Sequence, residues 1–212
     1  MGGEVVAEAG SRCVGRKSAA PSDAWGFKHT ANMSNYHRNR VPGGTYFFTV
    51  NLLDRKSHLL VDRIDLLRDA VRSVKQRRPF HIDAWVVLPD HLHAIWTLPE
   101  GDADFSGRWR EIKKAFVKAV PETEWRSSVR MEKGERGIWQ RRFWEHTIRD
   151  EADYAVHVDY VHINPVKHGW VQQVADWPHS TFHRAVEQGV YPKDWAGVDA
   201  DLDAGERPGF IA

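Results

Sequence analysis

The sequence predicts an α+β sandwich of the ferredoxin-like kind, in which an antiparallel sheet carries helices on one face and a further helix is appended. Three observations predict this fold. Short β-rich runs and stretches of helical spacing follow one another in the order strand, helix, strand, strand, helix, strand, helix. Two of the strand runs are separated only by Pro89-Asp90, which is typical of a hairpin. Each helical stretch is closed by a proline.

The first strand, the first helix and the hairpin are predicted from residue type and spacing. The run TYFFTVNLL, which follows Pro42-Gly43-Gly44, is β-rich and predicts a strand. A helix follows, with apolar residues at helical spacing and its end at Pro79. In the next run, FHIDAWVVL, strict alternation predicts that one face carries Phe80, Ile82, Ala84, Val86 and Leu88. The run HLHAIWTL then returns as the second strand of the hairpin.

The middle of the chain predicts a second helix, a loop and a fourth strand. The helix spans residues 106–120 and stops at Pro121, and its basic residues lie largely off its apolar stripe. Residues 121–137 are polar and contain glycine, which predicts a loop. The run RRFWEHTIR predicts the fourth strand.

A third helix is predicted after the fourth strand. Asp150 is its candidate N-cap, and the helix runs to about Ile163, where Asn164-Pro165 and Gly169 end it. The apolar stripe that we expect to face the core consists of Tyr154, Val158 and Val161.

The two ends of the chain differ in composition from the region between them. Residues 1–35 are rich in Ala, Gly and Ser without periodicity and predict a disordered leader. Met33 stands directly before the first structured pattern, and we interpret it as the natural start. Residues 36–186 form the predicted folded domain, and residues 187–212 form an acidic tail.

Composition and charge favour a soluble protein of the cytoplasm. The chain has 212 residues, 42% of them hydrophobic, with a net charge of +1 and one cysteine. No apolar run approaches the roughly 20 residues that span a bilayer, so no membrane partner is expected. The segment from Arg108 to Arg149 contains twelve Lys or Arg residues and only six Asp or Glu residues. Such a stretch is either a solvated surface or a basic face for a polyanion.

His91 and His93 are the first candidate functional residues. They stand two apart on a predicted strand, so both imidazoles project from one face within reach of a single ion. The alternative is a pair of half-exposed strand histidines without a metal, which the spacing alone leaves open.

Tyr160 and Asn164 are a second candidate pair. They stand four apart on the predicted third helix, so the phenol and the amide point the same way. A phenol with a pKa near 10 is a poor nucleophile at neutral pH and needs a metal or a base beside it. A tyrosine at the edge of the core is the alternative.

Four segments together resemble one known family. They are WVVLPDHLHAIWTLPEG, RWREIKKAF, IWQRRFWEHTIRD and VDYVHINPVKHGWV. Their order and residues are similar to those of the REP-associated tyrosine transposases, chromosomal relatives of the single-strand insertion-sequence transposases in the HUH nuclease group. The resemblance covers about residues 36–206.

The resemblance implies a catalytic domain with assigned residues. His91 and His93 match the metal-binding histidines, and Tyr160 matches the nucleophile that forms a 5′-phosphotyrosine. Asn164 takes the place of a further polar metal ligand, and the implied metal is Mg²⁺ or Mn²⁺. His146 lies in a matching segment without an assigned role. The implied substrate is a hairpin of a repeated extragenic palindrome with a single-stranded flank, cut by a nucleoid-associated monomer.

Charge predicts which residues contact the DNA backbone, since Lys and Arg neutralise phosphates. The predicted phosphate-binding residues are Arg108, Arg110, Lys113, Lys114, Lys118, Arg141, Arg142 and Lys167. Two other functions stay open from the sequence. One is a module that binds hairpin DNA or RNA without cleaving it. The other is a hydrolase in which the histidines hold a metal that activates water.

Overall fold

The structure is a computed structural model and describes residues 38–122, 128–132, 134 and 136–197. Within these residues four strands form one antiparallel sheet in the order β2-β3-β1-β4. The strands are β1 Thr45–Asn51, β2 His81–Val87, β3 His91–Thr97 and β4 Trp144–Thr147. This ferredoxin-like order confirms the predicted α+β fold. The predicted leader, Met33 and the end of the tail lie outside the described residues.

Helices lie on both faces of the sheet. The described helices are α1 Leu59–Asp62, α2 Ile64–Arg77, α3 Phe105–Ala119, α4 Ser128–Glu132, α5 Glu151–Lys167 and α6 Phe182–Glu187. A 3₁₀ turn, Val174–Asp176, precedes α6. The sequence predicted α2, α3 and α5; it did not predict α1, α4, α6 or the 3₁₀ turn. No helix in the described part of the chain is long and apolar enough to cross a membrane.

The sheet separates two hydrophobic clusters. The larger cluster joins β1 and β3 to α2 and α3, and its centre is the stacked pair Trp96 and Trp109, whose ring centroids lie 4.2 Å apart. The smaller cluster lies on the opposite face and joins Phe47 and Ile95 to Val161 of α5. Burying each large apolar side chain stabilises the fold by about 1.5–3 kcal/mol. The third predicted helix therefore packs on the face that α2 and α3 leave open.

The prediction of one uniform face along FHIDAWVVL was wrong because β2 contains an irregularity. Ile82 pairs with Trp96, but Ala84 pairs with Ile95, so Asp83 is an extra residue in the register. An extra residue reverses the faces of all the residues after it. Phe80 and Ile82 consequently pack with the larger cluster, whereas Ala84 and the alternate residues after it pack with the smaller one.

Helix α5 starts where the sequence predicted and ends later. Asp150 caps it by accepting a hydrogen bond from the backbone nitrogen of Asp153 at 2.9 Å. The predicted stop at Asn164-Pro165 was wrong, because Pro165 lies inside the helix. The helix runs on to Lys167, and Gly169, which the sequence also predicted as its end, follows the C-cap with a φ of +72°. Trp170 N donates to Pro165 O and Gly169 N to Val166 O, both at 2.9 Å, which is a Schellman cap.

The buried face of α5 also differs from the prediction. Tyr154 is 36% exposed, although the sequence placed it in the core stripe. Val161 of that stripe is fully buried as predicted, and His157, Tyr160 and Asn164 on the neighbouring face are buried with it. The neighbouring polar face therefore packs against the sheet, where it meets the strand histidines.

Candidate metal and tyrosine site

Strand β3 brings His91 and His93 together on the α5 face of the sheet. Their ring centroids lie 5.0 Å apart with the planes at 86°. His93 stands opposite Thr49 of β1 and opposite Val86 of β2, in the middle of the sheet. Both side chains are buried, which excludes the alternative of two half-exposed strand histidines.

The Nδ1 atom of each histidine has a polar neighbour. Nδ1 of His91 donates to the Asp90 carboxylate at 2.7 Å, since an ionised carboxylate only accepts. Arg55 Nε holds the other oxygen of Asp90 at 2.9 Å. Nδ1 of His93 lies 3.0 Å from the hydroxyl of Thr49. These contacts orient the rings and leave Nε2 as the nitrogen that each offers to an ion.

Burial and charge set the protonation of this group. Burial alone raises the pKa of Asp90, but the hydrogen bond from His91 and the charges of His91 and Arg55 outweigh it, so the pKa is lowered. The pKa of His93 is well below its ordinary value, chiefly because burial disfavours the imidazolium and then because of the charge of His91. A neutral His93 is the state that metal coordination requires, and an ionised Asp90 is the state that accepts the hydrogen bond from His91.

Helix α5 places Tyr160 against His93. The two ring centroids lie 5.3 Å apart with the planes at 77°. Phe47 packs on the phenol from the sheet, at 5.8 Å. The ammonium of Lys167 lies 4.8 Å from the centre of the Tyr160 ring. The structure thus brings the predicted tyrosine to the predicted histidines, in a side chain that is only 1% exposed.

Asn164 lies one turn after Tyr160 on the same buried face. Both atoms of its side-chain amide are buried without a hydrogen-bond partner in the described residues, and so is Nε2 of His91. Leaving a buried polar group without a partner costs about 1–3 kcal/mol. A bound cation would satisfy the amide oxygen and the imidazole nitrogen, so these residues fit the metal that the family resemblance implies.

Arg108 does not belong to a DNA-binding surface, and this prediction was wrong. Its side chain is 1% exposed. The guanidinium donates to the Asp102 carboxylate at 2.7 Å and to the backbone oxygens of Arg78, Pro79 and Asp104. Arg108 therefore ties the start of α3 to the end of α2, and its buried guanidinium is bonded to these protein partners rather than presented to a phosphate.

Lys113 is half-buried rather than surface-exposed. Its ammonium donates to the backbone oxygen of Gln140 at 2.9 Å and lies 5.5 Å from the Phe143 ring. Burial, and then the charge of Arg38, lowers the pKa of Lys113 to about 8. These contacts make Lys113 a link between α3 and the segment before β4.

The other predicted phosphate-binding residues are exposed. They are Arg110, Lys114, Lys118, Arg141, Arg142 and Lys167. Those of α3 belong to the helix layer on the far side of the sheet from Tyr160, whereas Lys167 lies beside the phenol. The structure therefore divides the basic residues between two faces.

A second His and Asp group was not predicted from the sequence. The ligand atoms of His146, Asp153 and His157 lie within 4.8 Å of one another. His146 Nε2 pairs with the Asp153 carboxylate at 2.9 Å, and His157 Nδ1 donates to the Asp153 backbone oxygen at 2.7 Å. The two imidazoles stack at 4.6 Å with their planes only 10° apart, so their in-plane lone pairs do not converge on one ion. We interpret the group as an anchor between β4 and the first turn of α5.

Sequence reasoning also missed the residues that support His91. From the sequence, Pro89-Asp90 predicts only a turn, and no pattern indicates that Arg55 contacts Asp90. Asp90 directly precedes His91 in the chain, so a carboxylate next to a candidate ligand was the signal that could have found it. Arg55 is 36 residues away, and only the fold brings it there.

Comparisons with known proteins place the chain in a family, although no protein-family model matches it. The REP-associated tyrosine transposase of Escherichia coli strain K12 is 59% identical over 175 residues, which are 82% of this chain and 98% of that protein. The chain belongs to the REP-associated tyrosine transposase family. A protein of Haemophilus influenzae named for the same family is 46% identical over 166 residues, which are 78% of this chain and 94% of that protein.

A solved structure supports the same family. It is a REP-associated tyrosine transposase bound to a REP hairpin, with a TM-score of 0.71 and 58% identity to this chain. The match covers 82% of this chain and 98% of that chain. The resemblance seen in the sequence is thereby confirmed.

Proposed function

We propose that this protein is a metal-dependent tyrosine transposase that cuts and rejoins single-stranded DNA beside hairpins of repeated extragenic palindromes. The relatives' names and the hairpin held by the solved relative support the class of substrate. The observation that carries the chemistry is the 5.3 Å approach of the Tyr160 ring to His93, next to His91. This arrangement supports a nucleophile beside a metal rather than a tyrosine at the core edge.

His91, His93 and Asn164 are the residues that would hold a divalent ion, Mg²⁺ or Mn²⁺. The buried and unpartnered Nε2 of His91 and the amide of Asn164 support this ligand set. When bound, such an ion polarises the scissile phosphate and helps to ionise the phenol. Asp90 keeps His91 in the tautomer that coordinates, with Arg55 holding Asp90 in turn.

Tyr160 supplies the nucleophile. Its phenolic oxygen attacks phosphorus, the bond from phosphorus to the 3′ oxygen breaks, and that oxygen leaves as a 3′-hydroxyl once it takes a proton. The strand is then joined to the protein by a 5′-phosphotyrosine. A second 3′-hydroxyl can attack this ester and rejoin the strand, because the phosphodiester bond energy is conserved. The Lys167 ammonium, 4.8 Å from the ring, favours the phenolate electrostatically.

The reacting groups are covered. Tyr160 is 1% exposed and His93 is fully buried. A phosphate reaches them only after neighbouring segments of the protein move aside. We therefore expect hairpin binding to precede a slower step in which the site opens. All of these groups come from one chain, which supports a monomer as the active unit.

A covalent test separates the proposed function from its alternatives. The protein is incubated with a labelled flanked hairpin and Mn²⁺, and the products are run on a denaturing gel. We expect a protein–DNA adduct that Tyr160→Phe abolishes. Tyr154→Phe is the matched control, because it removes an exposed phenol of the same helix, and it should keep the adduct.

Two other outcomes would identify the alternatives. Hairpin binding without any adduct in Mg²⁺ or Mn²⁺ would favour a binding module. Strand cleavage that survives Tyr160→Phe without an adduct would favour a hydrolase that uses the histidines to activate water.

A further inference from the structure

A cavity of about 300 Å³ lies beside the metal and tyrosine site. His91 forms part of its wall, so the cavity and the proposed metal site share a residue. The wall also contains two cationic side chains, Arg55 and Lys56, and the aromatic side chain of Trp170. The proposed chemistry assigns this space no role.

We propose that the cavity binds one unpaired nucleotide of the DNA strand, the one next to the cleaved phosphate, with its base stacked on Trp170. The proposal rests on the proposed function, since it takes the metal and tyrosine site to be where the strand is cut. It adds a binding subsite for single-stranded DNA to that site.

Trp170 has the properties of a stacking platform. Its side chain is 43% exposed, although large apolar rings are usually covered. It directly follows Gly169, which ends α5 in the left-handed conformation, and its backbone nitrogen is held by Pro165 O. The His58 ring contacts it at 5.5 Å with the planes at 86°, so the contact is made edge to face. An indole held in this way can receive a base without first being ordered.

The charges of the cavity favour a phosphate. Lys56 is exposed, and Arg55 is partly exposed and pairs with Asp90. Asp90 is the carboxylate of the wall, and it is already bonded to both His91 and Arg55. With Asp90 neutralised in this way, Lys56 supplies a positive charge for the backbone of a bound strand.

The position of the cavity favours the nucleotide next to the cut. His168 also lines the cavity, and its ring lies 5.1 Å from that of His91. A phosphate held at His91 therefore leaves its neighbouring sugar and base at the mouth of this space. The volume suits a single base with its sugar, at the small end of ligand pockets.

The test measures binding in a Tyr160→Phe background, in which no cleavage is expected. Two hairpins are compared by fluorescence anisotropy, one with the single-stranded flank and one without it. We expect Trp170→Leu to weaken the flanked hairpin about tenfold and to leave the flankless hairpin unchanged. Trp170→Phe keeps a ring and should restore most of the affinity.

A second readout places the base. 2-Aminopurine is put at each flank position in turn, and its fluorescence should be quenched at one position by the protein and released by Trp170→Leu. Lys56→Ala should weaken only the flanked hairpin, whereas Lys118→Ala, at an exposed residue of α3, should affect both hairpins equally.

Equal effects of Trp170→Leu and Lys56→Ala on both hairpins would overturn the subsite while leaving the proposed function intact. 2-Aminopurine fluorescence that the protein leaves unquenched at every flank position would overturn it too. Failure to bind either hairpin would instead refute the proposed function. A melting curve for each variant checks that it is folded.

Discussion

The carboxylate of Asp90 lies 2.7 Å from Nδ1 of His91, the next residue in the chain. A carboxylate in this position fixes the tautomer of the ring and increases the basicity of Nε2. The metal affinity of the site should therefore depend on a residue that does not itself touch the ion.

Asp90→Ala should weaken Mn²⁺ binding by about 10- to 100-fold, because His91 loses the partner that orients it. Isothermal titration calorimetry of the DNA-free protein measures this directly. Asp54→Ala removes an exposed carboxylate near Arg55 and is the control. Equal losses in the two variants would mean that general negative charge, rather than ligand orientation, governs binding.

Arg108→Ala should lower the free energy of unfolding by about 3 kcal/mol, because it leaves Asp102 and three backbone oxygens without their buried donor. Urea unfolding followed by tryptophan fluorescence measures the loss. Arg110→Ala, on the exposed side of the same helix, should leave stability within about 0.5 kcal/mol of wild type. A stable Arg108→Ala variant with weakened DNA binding would reverse our assignment.

Lys113 and Lys114 are neighbours with different expected roles. Lys114→Ala should weaken hairpin binding and reduce the slope of log affinity against log salt by about one, as for one lost phosphate contact. Lys113→Ala should leave that slope unchanged, because its ammonium is bonded to Gln140. A salt titration of binding distinguishes them, and a changed slope in Lys113→Ala would show that its side chain leaves the protein to meet DNA.

The buried His162 should make the fold sensitive to acid. Burial, and then the charge of Arg184, lowers its pKa to about 4 in the folded state. The unfolded chain binds a proton near pH 6.5, so between pH 6.5 and 4 it holds one proton more than the folded chain. The contribution of His162 to stability is thus complete above pH 6.5 and is lost as the pH falls towards 4, by about 1.4 kcal/mol per pH unit.

Urea unfolding at several pH values tests this for wild type and His162→Gln. Between pH 6.5 and 4 the free energy of unfolding of the variant should change less steeply with pH, by the uptake of one proton. His81→Gln, at an exposed histidine, should keep the wild-type dependence. Parallel curves for wild type and His162→Gln would contradict the prediction.

The fold was predictable to the level of element order. Alternation and helical spacing depend on which residues must be buried, and that requirement is visible in the chain itself. The extra residue at Asp83 was not visible, because Ile82 and Ala84 are both apolar and fit an unbroken alternation as well as a broken one. The end of α5 was also not visible, because a proline predicts a helix stop whether or not the helix continues past it. A proline this close to the helix end removes one backbone hydrogen bond, and the cap at Gly169 closes the helix beyond it.

The candidate site was predictable where spacing alone decides geometry. A spacing of two residues on a strand places His91 and His93 on one face. A spacing of four residues on a helix does the same for Tyr160 and Asn164. Charge was a weaker guide, because Arg108 and Lys114 are equally basic and only tertiary contacts distinguish a buried link from an exposed cation. Long-range partners such as Arg55 need the fold itself.

Because α5 is one unbroken helix, it should not tolerate the insertion of a residue before Tyr160. It is fastened at one end by Asp150 and at the other by the turn at Gly169, and Tyr160 stands between these points. Each residue inserted into a helix rotates the later side chains by about 100° around the helix axis. A single alanine added between His157 and Tyr160 would therefore keep every side chain of the proposed site in the protein and yet point the phenol away from the imidazoles.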